Sequence, residues 1–218
     1  MSLRSARYGD VRDRMHPGDV IAFSGKGHFS EIIKWATRSG VSHIGVVLHT
    51  KLQVPGAPAG EYFNQVIEST SLNGFSGVSI SRLSDRVQTY EGELWWLPLA
   101  DKVRKKLDEK KFFSFMLQQD HKPYDTPQAI KSALDAMDNL PLIGNVTHNV
   151  EDFSKFFCSE LAAAGLEAGG AIPHLNASEV TPIDLCMFDI YQKDYYQMKG
   201  IDRAIKGYNS QSPRGWGE

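Results

Sequence analysis

Near residue 101 the hydrophobic pattern of this chain changes its period, and that change constrains the fold more than any other feature. Upstream, apolar residues come in short runs rich in β-branched and aromatic side chains: GDVIAF (18–23), VSHIGVVLHT (41–50), EYFNQVIEST (61–70), GVSISRL (77–83) and GELWWLPLA (92–100). Each has the length of a strand, and turn-forming stretches such as VPGAPAG (54–60) separate them. One short helix interrupts this half, FSEIIKWATRSG (29–40), with Ser30 as N-cap and Gly40 as terminator. Downstream, Val103, Leu107, Phe112, Phe115 and Met116 recur near a helical period in a charged background. TPQAIKSALDAMDNL (126–140) continues the helical pattern, with Thr126 as N-cap and Pro127 at the first helical position. PLIGNVTHNVED (141–152) has no period and is expected to be a loop, and KFFCSELAAAGLEAGG (155–170) is expected to be a helix ended by Gly169 and Gly170. Strands first and helices later predict an α+β fold with a mainly antiparallel sheet.

At 218 residues the chain is long enough for one domain with a full core, and a single domain over 1–218 is the expectation, with a helical insertion at about 101–150. The last residues, GYNSQSPRGWGE, have the composition of a weakly ordered tail, from about residue 200. The 24 basic and 26 acidic residues leave a formal net charge of -2, and the one basic cluster, KVRKKLDEKK, is broken by Asp108 and Glu109. No nucleic-acid partner is expected from this balance. The N-terminal stretch carries no apolar leader core and there is no 18-residue apolar run, so neither a signal peptide nor a membrane span is expected. Two cysteines are too few for a disulfide framework, which points to a reducing, cytoplasmic compartment; an export signal already trimmed away stays open as the alternative. The sequence does not set an oligomeric state.

Cys158 lies in the first turn or two of its helix, between Phe157 and an alanine-rich run. Two readings compete there. Free cysteine commonly packs as a small hydrophobe, whereas a thiol near a helix N-terminus faces aligned N–H dipoles that favour the thiolate and offer a donor to an oxyanion. Cys186, in PIDLCMFDIY, has apolar neighbours and reads as packing.

A thiolate nucleophile needs a base. His43 and His49 are expected on one face of a strand with Gly45 and Val47, about 20 Å apart at roughly 3.3 Å per residue, so at most one of them serves a given site. His43 is the candidate, because Gly45 leaves room on its face for a facing group. His16, His28, His121, His148 and His174 fall in polar or turn-like segments and read as surface histidines. Glu68, near the end of the following strand, is the candidate to orient the imidazole, with Asn64 on the same face as its alternative. No HExxH or CxxC spacing occurs, and the GKG at 25–27 lacks the spacing of a phosphate loop, so neither a metal nor phosphate binding is expected.

In content and order, GDVIAF, SHIGVVL, VIEST, PYD and FFCSELAAAG resemble the circularly permuted branch of the NlpC-type papain-like cysteine amidases and peptidases, the group that includes YiiX-like proteins. In the unpermuted family the cysteine helix comes first; here it comes last, an order that lecithin retinol acyltransferase-like enzymes share. The resemblance covers roughly residues 16 to 190. It implies a permuted papain-like fold, Cys158 as nucleophile, His43 as general base and later acid, Glu68 as the orienting residue, and Tyr124 in KPYD as a hydroxyl lining the oxyanion pocket. It also implies hydrolysis of amide or peptide bonds, in cell-wall-type peptides or small amides, through an acyl-enzyme and without a cofactor. Two alternatives stay open: a thioesterase or acyltransferase acting on lipid-like acyl substrates, and a catalytically idle papain-like binding module.

Overall fold

The structure is a computed structural model and describes residues 2–25, 39–56, 58, 61–72, 74–123 and 157–217. It is an α+β arrangement around a seven-stranded mixed sheet. The strands are β1 (Ser2–Ser5), β2 (Val20–Gly25), β3 (His43–Gln53), β4 (Tyr62–Leu72), β5 (Phe75–Arg82), β6 (Gly92–Leu97) and β7 (Asp194–Lys199). They lie in the order β1-β7-β6-β2-β3-β4-β5, antiparallel throughout except for the parallel β1–β7 pair. The helices are α1 (Tyr8–Val11), α2 (Leu83–Thr89), α3 (Asp101–Arg104), α4 (Glu109–Gln119), α5 (Phe157–Ala168) and α6 (Pro182–Met187).

The central strands read as continuous apolar runs because both faces of the sheet are covered. One face presents Val20, Ala22, Ile44, Val46, Ile67, Trp95 and Leu97 to Phe112 and Met116 of α4 and to Leu161 and Leu166 of α5. The opposite face carries Ile21, Phe23, Val47, Val66, Trp96 and, from α2, Leu83. Small residues let α4 and α5 approach closely: a Cβ on Gly165 would overlap the Met116 methyl carbon. The GD of GDVIAF serves as a structural knot. The fully buried Asp19 carboxylate accepts from the backbone N–H of His16 (3.0 Å) and Leu99 (2.9 Å), from Trp96 Nε1 (3.0 Å) and from Arg104 Nη2 (2.8 Å), tying the start of β2 to the end of β6 and to α3.

Several expectations shift. The helical run from residue 101 is two helices: α3 ends at Arg104, and Asp108 caps α4, accepting from Lys110 N at 3.1 Å and Lys111 N at 3.2 Å. The run GVSISRL ends as a strand at Arg82, and Leu83 opens α2. The sheet also extends beyond the expected core, since β1 and β7 are both part of it. The C-terminal stretch is anchored: Tyr208 packs on Tyr195 at 4.2 Å, Trp216 meets Phe188 edge-on at 5.2 Å, and the Trp216 carbonyl accepts from Asn176 N. Buried aromatic rings hold it where its Gly and Ser content suggested a loose tail. The expected helix at 29–40, apart from Ser39 and Gly40, lies outside the described residues, as do the expected helix at 126–140 and the expected loop at 141–152. Among the described residues no helix is long and apolar enough to cross a membrane.

Candidate active site

The site starts from strand register. β2 and β3 pair with Phe23 opposite His43, and β3 and β4 pair with Gly45 opposite Glu68. His43 is two residues before Gly45, so its ring and the Glu68 carboxylate are diagonal neighbours on one face, within reach of long side chains. Gly45 keeps the space between them clear. A Cβ there would lie 2.7 Å from Val66 Cγ2, 3.4 Å from the Phe23 ring and 3.5 Å from Glu68 Cβ. Gly45→Ala is therefore expected to destabilise the fold by about 1–3 kcal/mol through overpacking and to displace the His43–Glu68 pair; urea unfolding and the pH profile of thiol alkylation would record the two effects.

His43 Nε2 lies 2.7 Å from Glu68 Oε2, with both side chains buried. Glu68 is gripped from its other side by Arg86 of α2, which donates from Nε to Oε1 at 2.5 Å and from Nη2 to Oε2 at 3.0 Å. The guanidinium carbon is 5.5 Å from the centroids of both the Phe23 and Tyr90 rings, and Phe23 itself sits 5.1 Å from the His43 ring. Tyr90 also bonds to the Ser42 side chain, beside His43 in sequence, and that hydroxyl in turn accepts from Gly25 N at 3.1 Å.

Burial alone would push the Glu68 carboxyl up, but the His43 hydrogen bond and the Arg86 charge outweigh it and hold the group below its ordinary value. A depressed folded-state pKa means that ionised Glu68 stabilises the fold above its unfolded pKa of about 4.3. That contribution is lost as the pH falls through the folded value. Unfolding midpoints followed from about pH 6 down to about pH 2 should therefore decline less steeply for Glu68→Gln than for the wild type.

Cys158 is the second residue of α5 and packs against the other side of β3, where the amide of Ile44, the residue after His43, donates to its sulfur at 3.3 Å. The dipole argument expects an acidic thiol here, and the structure corrects it. Burial pushes the Cys158 thiol up to about 12, against the opposing pull of the Ile44, Ser159 and Cys158 N–H groups. The helix terminus contributes in the expected direction, but its effect is smaller than the desolvation of a sulfur that is 1% exposed.

The structure thus brings His43 and Glu68 together and seats Cys158 on the strand that carries His43. Tyr124 lies outside the described residues, as do His28 and His148. Asn64 is no alternative to Glu68: its side chain accepts from Lys51 N at 3.0 Å and donates to the Arg12 carbonyl at 2.9 Å. His49 leaves the face it was expected to share with His43, because the register slips between Val47 and His49 and its ring lies 3.8 Å from Phe113 of α4. His121 and His174 are exposed and paired with Asp120 and Glu167. Cys186 is buried among apolar residues, and neither cysteine is in a disulfide.

No family model and no curated protein matches this chain. Arg86 and Tyr90 were not among the candidates because SDRVQTY (84–90) carries no motif; only the packing of α2 beside β4 brings them to Glu68. Among the described residues no three His, Cys, Asp or Glu side chains gather into a metal-binding group.

Proposed function

We propose that the chain is a cysteine-dependent hydrolase of amide or peptide bonds, built on a permuted papain-like fold, with Cys158, His43 and Glu68 in the roles that the family resemblance implies. The observation that carries this reading is the His43 Nε2–Glu68 Oε2 contact of 2.7 Å on the strand whose next amide holds the Cys158 sulfur. Glu68 fixes one imidazole nitrogen, and in this reading the other ring nitrogen carries the proton transfer. As the Cys158 sulfur attacks the carbonyl carbon, its proton passes to His43. The carbonyl π bond becomes an oxyanion, stabilised by N–H groups at the start of α5 and, in this reading, by Tyr124. His43 then returns the proton to the leaving nitrogen as the C–N bond breaks. A water molecule, deprotonated by His43, hydrolyses the thioester and regenerates the thiol. With Cys158 protonated at rest, attack and proton transfer are coupled and no preformed thiolate is needed.

The test is a screen of peptide, acyl-amide and thioester libraries with the wild type and Cys158→Ala side by side. Turnover of an amide substrate by the wild type alone supports the reading; turnover confined to thioesters would assign the site to acyl-group transfer or hydrolysis instead. The burial of Cys158 favours a second reading, an idle papain-like binding module. In that case Cys158 would resist iodoacetamide as completely as Cys186, and no library member would be turned over.

A further inference from the structure

The proposed triad accounts for Cys158, His43 and Glu68 but not for the buried guanidinium attached to it. Arg86 is 7% exposed, yet it makes a two-point contact with a carboxylate that is fully buried, and its guanidinium carbon lies 5.5 Å from the centroids of both the Phe23 and Tyr90 rings. A cation with this much of its hydration removed is costly unless paired, and here its partner is the residue that orients the proposed base. We propose that Arg86 is a positioning residue that sets the resting protonation of His43 through Glu68, an inference that rests on the cysteine-hydrolase reading.

Charge balance governs this water-poor cluster. Among the described residues the ionisable groups of this cluster are His43 from β3, Glu68 from β4, Arg86 from α2 and Tyr90 just after α2, with Cys158 of α5 on the other side of β3 but within Coulomb reach of Glu68 and Tyr90. Glu68 and Arg86 cancel. A protonated His43 would leave the cluster with a net positive charge, so the neutral imidazole is the resting form, able to accept the thiol proton during attack. Arginine is suited to this because it does not deprotonate in proteins, so the compensation is permanent. Its fork also fixes direction: Nη2 and His43 Nε2 meet on the same oxygen, Oε2, while Nε holds Oε1, so the carboxylate cannot rotate away from the ring. Without Arg86 the nearest cation available to buried Glu68 would be His43 itself, which would become an imidazolium and cease to be a base.

A role confined to folding predicts lower stability and no change in titration. The positioning role predicts shifts of opposite sign, read as the pH midpoint of Cys158 alkylation by iodoacetamide, with the labelled peptide identified by mass to separate Cys158 from Cys186. In R86M the midpoint should fall by about one pH unit or more, because an imidazolium favours the thiolate, and turnover near neutral pH should drop at least about tenfold. In E68Q the midpoint should rise, because the uncompensated guanidinium disfavours the imidazolium. The E68Q/R86M double variant should lie between the two, and R86K should stay closer to the wild type than R86M does. An R86M midpoint that stays put, or that rises with E68Q, while His43→Ala still shifts the profile, overturns the inference for Arg86 alone. If His43→Ala also leaves the profile unchanged, the hydrolase reading fails with it. Should R86M not fold, the comparison of E68Q/R86M with E68Q decides: a lower midpoint in the double variant supports the role of Arg86, and an identical one removes it.

Discussion

Cys158→Ala should abolish turnover of every substrate that the wild type hydrolyses, and His43→Ala should lower it by at least about 10²-fold, the range assigned to a general base. The two losses differ in kind. Without the sulfur no acyl-enzyme forms, whereas without the imidazole the thiol is still present but has nowhere to send its proton. The second loss is large at this site because burial holds the Cys158 thiol up to about 12, so an unassisted thiolate is scarce near neutral pH. Glu68→Gln is expected to retain more activity than either, since a side-chain amide oxygen can still accept from the imidazole and Glu68 takes no part in bond making. Single-turnover rates for the three variants against the wild type check the order. A Glu68→Gln variant as impaired as Cys158→Ala would contradict the secondary role given to Glu68, and unimpaired turnover in His43→Ala would remove His43 from the mechanism.

The largest effect on stability is expected at Asp19. Asp19→Ala deletes a fully buried carboxylate, leaves the Trp96 indole N–H and two backbone amides without their acceptor, and leaves Arg104 Nη2 with only the Leu99 carbonyl. Breaking a buried pair in this way costs about 3–5 kcal/mol, which for a chain of this size lowers the melting temperature by on the order of 10 °C. Burial pushes the Asp19 carboxyl above its ordinary range, and the Arg104 charge and the N–H donors pull it back. Because all four of its partners are donors, Asp19→Asn should also destabilise: the amide keeps one acceptor oxygen and turns the other position into a donor facing donors. Calorimetry on both variants checks this. Stability unchanged in Asp19→Ala would mean that the network contributes nothing net, a result that the asymmetry between making and orphaning buried hydrogen bonds argues against.

What the sequence determined by itself was local. Alternation and β-branched runs located β2 through β6, the 3.6 period located α4, the alanine-rich run ended by Gly169 and Gly170 located α5, and residue chemistry picked out a thiol, an imidazole and a carboxylate as candidates. Those signals are legible because burying one face of a strand or helix leaves its mark within a few consecutive residues. The reach of His43 to Glu68 was legible too, because neighbouring strands in sequence commonly pair antiparallel and Gly45 marked the open position.

The rest was decided by tertiary structure. Arg86 meets Glu68 only because α2 folds back beside β4, and the Ile44 amide meets the Cys158 sulfur across 114 positions of chain. The slip near Leu48 that turns His49 toward α4 depends on how β3 pairs with β4 along its whole length. The protonation of Cys158 follows the same rule: a helix terminus can be read from a dozen residues, but desolvation sums over every segment that closes around the sulfur, and here that sum outweighs the dipole.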